Sequence, residues 1–378
     1  MQRGKLGVWS ALFAAAALIV CCFSNPALAQ REQVSAIYEA ASTRETNIAG
    51  VHTFEAPPYG FNALSAGDEE LAVYGFPPRP SPQADPAGFA HWAKAMTASR
   101  TRWSGELKPT SFYSRPARMV PAPAGTPITA APKTGASLNW SGFINTNTLK
   151  KYNTKTSFYY VLSEFNVPVV NQPANTCDGG WDLESSWNGI DGFQDQGALL
   201  QGGSLSGAYC RGNTRSWLYY AWVEWFPAYA ALEEFTVNPG DDLFVETWDT
   251  SATQGYVYLA DLTTGIYGTY GLTPNGGAGL IGNSAEYVVE RPCCQGTNFY
   301  PLANYVLDFW AGSYAVNFNQ YNNGTAPTFY PGSTAATNYL IDMIDDKDTQ
   351  VISAPTAQGK YGILFDASGC ATSGGCTP

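Results

Sequence analysis

Trp217-Leu218-Tyr219-Tyr220-Ala221-Trp222-Val223-Glu224-Trp225-Phe226 is the stretch that decides the fold class. Its residues favour strand, and strand alternation puts Tyr220, Trp222, Glu224 and Phe226 on one face. A carboxylate flanked by aromatics is costly to bury unpaired. Glu224 therefore bonds a neighbouring strand, faces solvent or serves a site.

Segments of the same character recur on both sides. Strands are predicted at 140–145, 157–170, 185–191, 198–201, 243–248, 256–262, 285–290, 305–310, 339–344 and 361–365. Turn signals separate them, such as Asn238-Pro239-Gly240-Asp241 and Pro274-Asn275-Gly276-Gly277. No long helix interrupts the pattern. Many short strands with Gly/Pro turns predict an all-β, antiparallel sandwich or barrel over residues 136–378.

Residues 30–135 are different material. Val34, Ile37, Tyr38 and Ala41 fall at helical spacing. Asp85-Pro86 offers an N-cap and first helical residue, with Phe89, Trp92 and Met96 following on one face. Prolines punctuate the rest, and 114–134 reads as an extended linker. Such a segment could hardly build a core alone. Residues 1–29 read as a secretory signal: Arg3 and Lys5, an apolar run from Val8 to Cys22, then Ala27-Leu28-Ala29. That predicts a secreted, extracellular or periplasmic protein with no membrane contact once the signal is removed.

Charge divides at the same boundary. Residues 1–135 carry 12 Lys+Arg and 9 Asp+Glu, net +3; residues 136–378 carry 8 and 22, net −14. An acidic C-terminal region argues against nucleic-acid binding. It also suggests that Lys94, Arg100, Arg102, Lys108, Arg115 and Arg118 pair with the acidic domain at neutral pH. Such a leader would loosen as carboxylates protonate.

The two histidines, His52 and His91, both precede the β-rich region. A Ser-His-Asp triad, a Cys-His pair and a His-ligated zinc site are therefore excluded there. Past the signal, six cysteines remain, and an even number in an exported chain suggests disulfides. Cys177 with Cys210, and Cys370 with Cys376, are the local pairings expected. No CxxC pair marks a zinc site.

Candidate chemistry lies in three segments. Glu224 has been described. Glu286 and Glu290 share a strand face but sit roughly 13 Å apart along it, so at most one is the chemical group. Periodicity does not choose between them. Gln201 ends an apolar strand beside Gly202-Gly203, and a Gln there needs partners or a ligand.

Taken together, these segments resemble the glutamic peptidases, the eqolisin or G1 family. The matching pieces are Asn139-Trp140-Ser141-Gly142, Phe165-Asn166-Val167-Pro168 and Trp187-Asn188-Gly189-Ile190-Asp191-Gly192. They continue with Ala198-Leu199-Leu200-Gln201-Gly202, Ala221-Trp222-Val223-Glu224-Trp225-Phe226-Pro227 and Ala285-Glu286-Tyr287-Val288-Val289-Glu290. The resemblance spans about residues 138–366. It implies a concanavalin-like sandwich of two large antiparallel sheets, preceded by a partly helical propeptide over 30–135. It implies an acid-acting endopeptidase with Gln201 and Glu290 as catalytic dyad, and chooses Glu290 over Glu286. Trp140, Trp187, Asp191, Trp222 and Glu224 match residues lining or supporting the cleft. No metal or cofactor is implied. The expected partners are polypeptide substrates and the chain's own propeptide, on a monomer. Tyr220, the Arg291-Pro292-Cys293-Cys294 run and a loop-rich 311–335 insertion depart from the family pattern.

Two competing readings are a glycoside hydrolase using paired carboxylates and a secreted carbohydrate-binding protein with aromatic platforms. Neither accounts for the Gln-containing match.

Overall fold

The computed structural model describes residues 26–121, 132–172, 177–194, 197–295, 298–335, 337–347 and 349–367. The run quoted first lies within the strand Thr214–Phe226. Leu199–Arg211 pairs antiparallel with it, and Asp178–Ile190 lies on the other side of Leu199–Arg211. Ser284–Glu290, Trp140–Thr146 and Tyr339–Ile344 continue this first sheet. The strand expected at 198–201 runs on to Arg211. Gly202, Gly203, Ser204 and Gly207 are weak strand formers, but ladders on both edges hold them extended.

The second sheet orders Ile266–Leu272, Gln254–Asp261, Asp242–Ser251, Phe158–Asn166, Leu307–Asn317 and Gly362–Asp366. Val351–Gln358 pairs with both sheets and joins them. The layers pack face to face. Leu200, Val223, Trp225, Tyr287 and Val289 from one meet Val161, Phe165, Val245, Val257 and Trp310 from the other. The fold is thus the predicted β-sandwich. Among the described residues, pairing is antiparallel except where Ile266–Tyr267 meets Thr101–Arg102, where Tyr339–Met343 meets Lys133–Ser137 and at the isolated Leu183–Leu302 bridge.

The expectation of a loop-rich insertion at 311–335 needs correction. The strand continues to Asn317, and a helix, Phe318–Asn323, follows directly. Asn317 and Gln320 form a capping box at its start, and Gly324 (φ 57°) ends it in the left-handed region.

Residues before 138 build helices Pro26–Ala41, Asp68–Val73 and Pro86–Ala98. Asp85 caps the last, accepting from the Gly88 N–H at 3.0 Å. The apolar faces of these helices close on the outer side of the second sheet. Val34, Tyr38, Phe54, Phe76, Trp92 and Met96 pack there with Tyr160, Phe244, Trp248, Tyr256, Tyr258 and Tyr314. Leader strands extend the same sheet: Val51–Thr53 pairs with Tyr270–Leu272. The leader thus shares a core with the sandwich. Residues 1–25 of the expected signal lie outside the described residues, and no described helix is long and apolar enough to cross a membrane.

Cys177 and Cys210 are bonded, as their spacing suggested, and Cys293 is also in a disulfide. The expected Cys370–Cys376 pair lies outside the described residues.

Candidate active site

Gln201 and Glu224 sit directly opposite each other on paired strands. Gln201 also faces Gly189 of the central strand Asp178–Ile190, whereas Glu290 faces Ser185 of that strand from its far side. Both side chains therefore rise from the outer face of the first sheet, with one strand between them. Trp187 stands between the two positions on that central strand. Gly203 makes room for it: a Cβ there would lie 2.6 Å from the Trp187 Cβ.

Glu290 is fully buried, and four donors converge on it. The Trp187 indole N–H reaches Oε2 at 2.9 Å. The Asn139 amide reaches Oε1 at 3.2 Å. The Arg115 backbone N–H reaches Oε1 at 3.0 Å, and the Ser114 hydroxyl bonds Oε2. Burial nevertheless pushes the carboxyl up to about 7, although these bonds all favour its charged form. Gln201 donates its amide N–H to Glu224 Oε2 at 3.0 Å. Its carbonyl lies 3.0 Å from the Ser114 hydroxyl. Burial, and then the nearby Glu290 charge, hold Glu224 well above the usual carboxylate range.

The other expected residues fall in three places. Trp140 packs edge-on against Trp187, with ring centroids 5.0 Å apart. Trp222 donates its indole N–H to Ser185 at 3.1 Å, on the same floor. Asp191 does not line this floor. Its carboxylate accepts the backbone N–H groups of Ile281, Gly282 and Asn283 at 2.6–2.9 Å. It thereby holds the loop that feeds the Glu290 strand. Glu286 is buried on the same face as Glu290 and faces Gly189, which Gln201 faces from the other side, with Asp191 near it.

Residues of the leader complete the site. From Lys108 to Val120 the chain forms a strap over the floor. Lys108–Pro109 pairs with Leu232–Glu233, and Met119–Val120 with Ala136–Ser137. Between them Ser114 descends on Gln201, Glu224 and Glu290. Sequence reasoning missed Ser114 because it opens a Pro-rich stretch that reads as linker. It also treated Asn139 only as a motif residue. The side chain is fully buried, bonded to Glu290 and to the strap carbonyls of Arg115 and Pro116.

The charge pairing expected between leader and domain is narrower than the net charges suggest. Lys94 reaches Glu164 and Asp242 at 2.6 and 2.5 Å, and Lys108 reaches Glu233 at 2.9 Å. His91 also contacts Glu164, at 2.5 Å. Arg102 instead bonds the leader's own Phe54 and Tyr74 carbonyls and lies over Tyr267.

A serine hydroxyl thus contacts a buried carboxyl and an amide on an aromatic floor without histidine. The Peptidase A4 family model matches residues 138–356, the whole span that builds this floor. The chain belongs to the Peptidase A4 family. It is a glutamic peptidase, a hydrolase acting on peptide bonds. Aspergillopepsin-2 of Aspergillus niger is 28% identical over 217 residues, covering 53% of this chain and 70% of the relative. Scytalidopepsin B of Scytalidium lignicola is 29% identical over 130 residues, covering 34% of this chain and 47% of the relative. Among solved structures, scytalido-glutamic peptidase with a transition-state-analogue inhibitor has a TM-score of 0.46 at 22% identity. It covers 61% of this chain and 98% of the other. The Peptidase A4 match begins at Leu138.

Proposed function

We propose that this chain is an acid-acting endopeptidase, secreted as a zymogen, whose catalytic pair is Gln201 and Glu290. Residues 1–29 are its signal, 30–135 its propeptide and linker, and 136–378 the peptidase. The observation that carries this reading is that one hydroxyl, on a peptide lying across the floor, contacts both side chains.

Glu290 as carboxylate takes a proton from water while the water oxygen attacks the scissile carbonyl carbon. The second Gln201 amide hydrogen, free of Glu224, donates to the oxyanion. Glu290 then returns the proton to the leaving nitrogen as the C–N bond breaks. Trp187 and Asn139 hold the carboxylate in place by donating to it. Trp140 and Trp222 give the cleft an apolar floor for side chains of the polypeptide. Burial under the strap is what raises Glu290 to about 7; once the strap leaves, water lowers it toward the ordinary carboxylate range, and it can act as base in acid where imidazole would be protonated.

The strap supports the zymogen reading, because it lies where a substrate must bind. Acid removes charge from Glu164 and Asp242, and with it the ion pairs of Lys94. Digestion of a denatured protein at acid pH tests the dyad. Glu290→Gln and Gln201→Ala, once processed, should each lose activity by on the order of 10²-fold or more. Full proteolysis by either variant overturns the assignment.

A further inference from the structure

We propose that the Ser114 hydroxyl occupies the place of the attacking water, so that the strap inhibits the peptidase without being cut at its point of closest approach. The inference rests on the Gln201–Glu290 reading. The hydroxyl's one proton goes to either the Gln201 carbonyl or the Glu290 carboxylate, where a water would donate to both, and a protonated Glu290 would donate the second bond to the hydroxyl oxygen. Ser114 is 3% exposed, and its oxygen lies against Glu290 and 3.0 Å from the Gln201 carbonyl.

The backbone around it is set as a substrate's would be. Arg115 N lies 3.0 Å from Glu290 Oε1, the group that must protonate a leaving nitrogen. The Ser114–Arg115 bond is therefore the one presented to the dyad. The strap cannot shift to present another. Tyr113 exchanges both backbone bonds with Cys293, at 2.6 and 2.9 Å. Asn139 binds the Arg115 carbonyl at 3.2 Å and the Arg118 N–H at 2.8 Å. Phe112 packs edge-on against Tyr300, with centroids 5.1 Å apart. The Ser114 hydroxyl oxygen lies between the presented bond and the dyad. The oxygen standing there is tethered to Ser114, and attack on its own carbonyl would require a four-membered ring.

Removing the hydroxyl should turn the inhibitor into a substrate. In Ser114→Gly a water has room between Gln201 and Glu290. It adds to the carbonyl carbon of residue 114, the bond to Arg115 nitrogen breaks, and Glu290 passes the water proton to that nitrogen. The experiment follows full-length chains incubated at acid pH, with new N-termini read by sequencing and mass spectrometry. Ser114→Gly should release a fragment beginning at Arg115 on the order of 10²-fold faster than the wild-type chain. Ser111→Gly, which adds the same flexibility three residues earlier, should match the wild type. Equal resistance at the 114–115 bond in Ser114→Gly overturns the inference when the variant still digests an added denatured protein through Glu290. An equal rise in Ser111→Gly also overturns it. Glu290→Gln added to Ser114→Gly should abolish the cut; a cut that survives it overturns the dyad reading instead.

Discussion

Gln201 and Glu224 face each other in register across paired strands, and the Gln201 amide nitrogen donates to Glu224 Oε2 at 3.0 Å. This bond fixes which end of the amide points where: nitrogen toward Glu224, oxygen toward the Ser114 hydroxyl. Glu224→Ala removes the acceptor and frees the amide to turn. The expected outcome is a loss of kcat of about 10–100-fold with KM nearly unchanged, because the contact orients a group used in the transition state. Steady-state kinetics on a peptide substrate check this. A rise in KM at constant kcat would assign Glu224 to substrate binding instead.

Trp187 and Asn139 donate to the Glu290 carboxylate and so favour its charged form. Trp187→Phe keeps the ring but removes the donor. The Glu290 pKa should then rise further, and the ascending limb of the kcat/KM profile should move to higher pH. Asn139→Ala should move it the same way. A pH–rate profile of each processed variant decides, and a limb shifted toward acid contradicts the role.

The folded chain should be most stable in acid. Burial raises Glu290 to about 7 and lifts Glu224, Glu246 and Glu286 well above their usual value. It also lifts the buried pair Glu184 and Asp308, which share the Ser186 hydroxyl. A raised carboxyl binds its proton more tightly folded than unfolded. Its contribution is complete below about pH 4 and is lost as pH climbs through the folded pKa, on the order of 3 kcal/mol for Glu290 alone. Glu164 works oppositely. Burial pushes it up, but His91 and Lys94 hold it below the ordinary value, so its contribution is lost on acidification. The raised groups outnumber it. Thermal melts of the Gln201→Ala zymogen, which keeps Glu290 and should not digest itself, should give a falling Tm from pH 4 to pH 8. A rising Tm would contradict this balance.

Cutting the strap should not release the helical part of the leader. Tyr38, Phe54, Phe76 and Trp92 are buried against the second sheet, each contributing roughly 1.5–3 kcal/mol. Val51–Thr53 adds ladder bonds. After acid processing, a fragment ending near the strap should co-elute with the peptidase domain in gel filtration. Separate elution, with the domain still folded, would show that the leader leaves whole.

Period-two runs of aromatic and β-branched residues made the sandwich legible in the sequence, because alternation alone sorts core faces from cleft faces. Trp222 and Glu224 could be placed on one face before any partner strand was known. The ordered motifs carried Gln201 and Glu290 as a family resemblance, and the missing histidines removed triad chemistry from the β-rich region. Local spacing also indicated the Cys177–Cys210 bond and the Asp85 cap. Asp191 was less legible: its motif suggested the cleft, but whether it meets substrate or a loop depends on what folds against it.

Only the tertiary structure decided that Ser114 meets Gln201 and Glu290, which lie 87 and 176 residues further along the chain. A strap without helical or strand periodicity gives no sign of where it lies, since backbone pairing with distant strands positions it. Asn139 teaches the same lesson, because only packing shows that it is buried against Glu290. The raised carboxyl of Glu290 is likewise a property of burial, and burial is set by which segments meet. Sequence alone specified which side chains share a face; only the fold determined which faces close on one another and what stands between them.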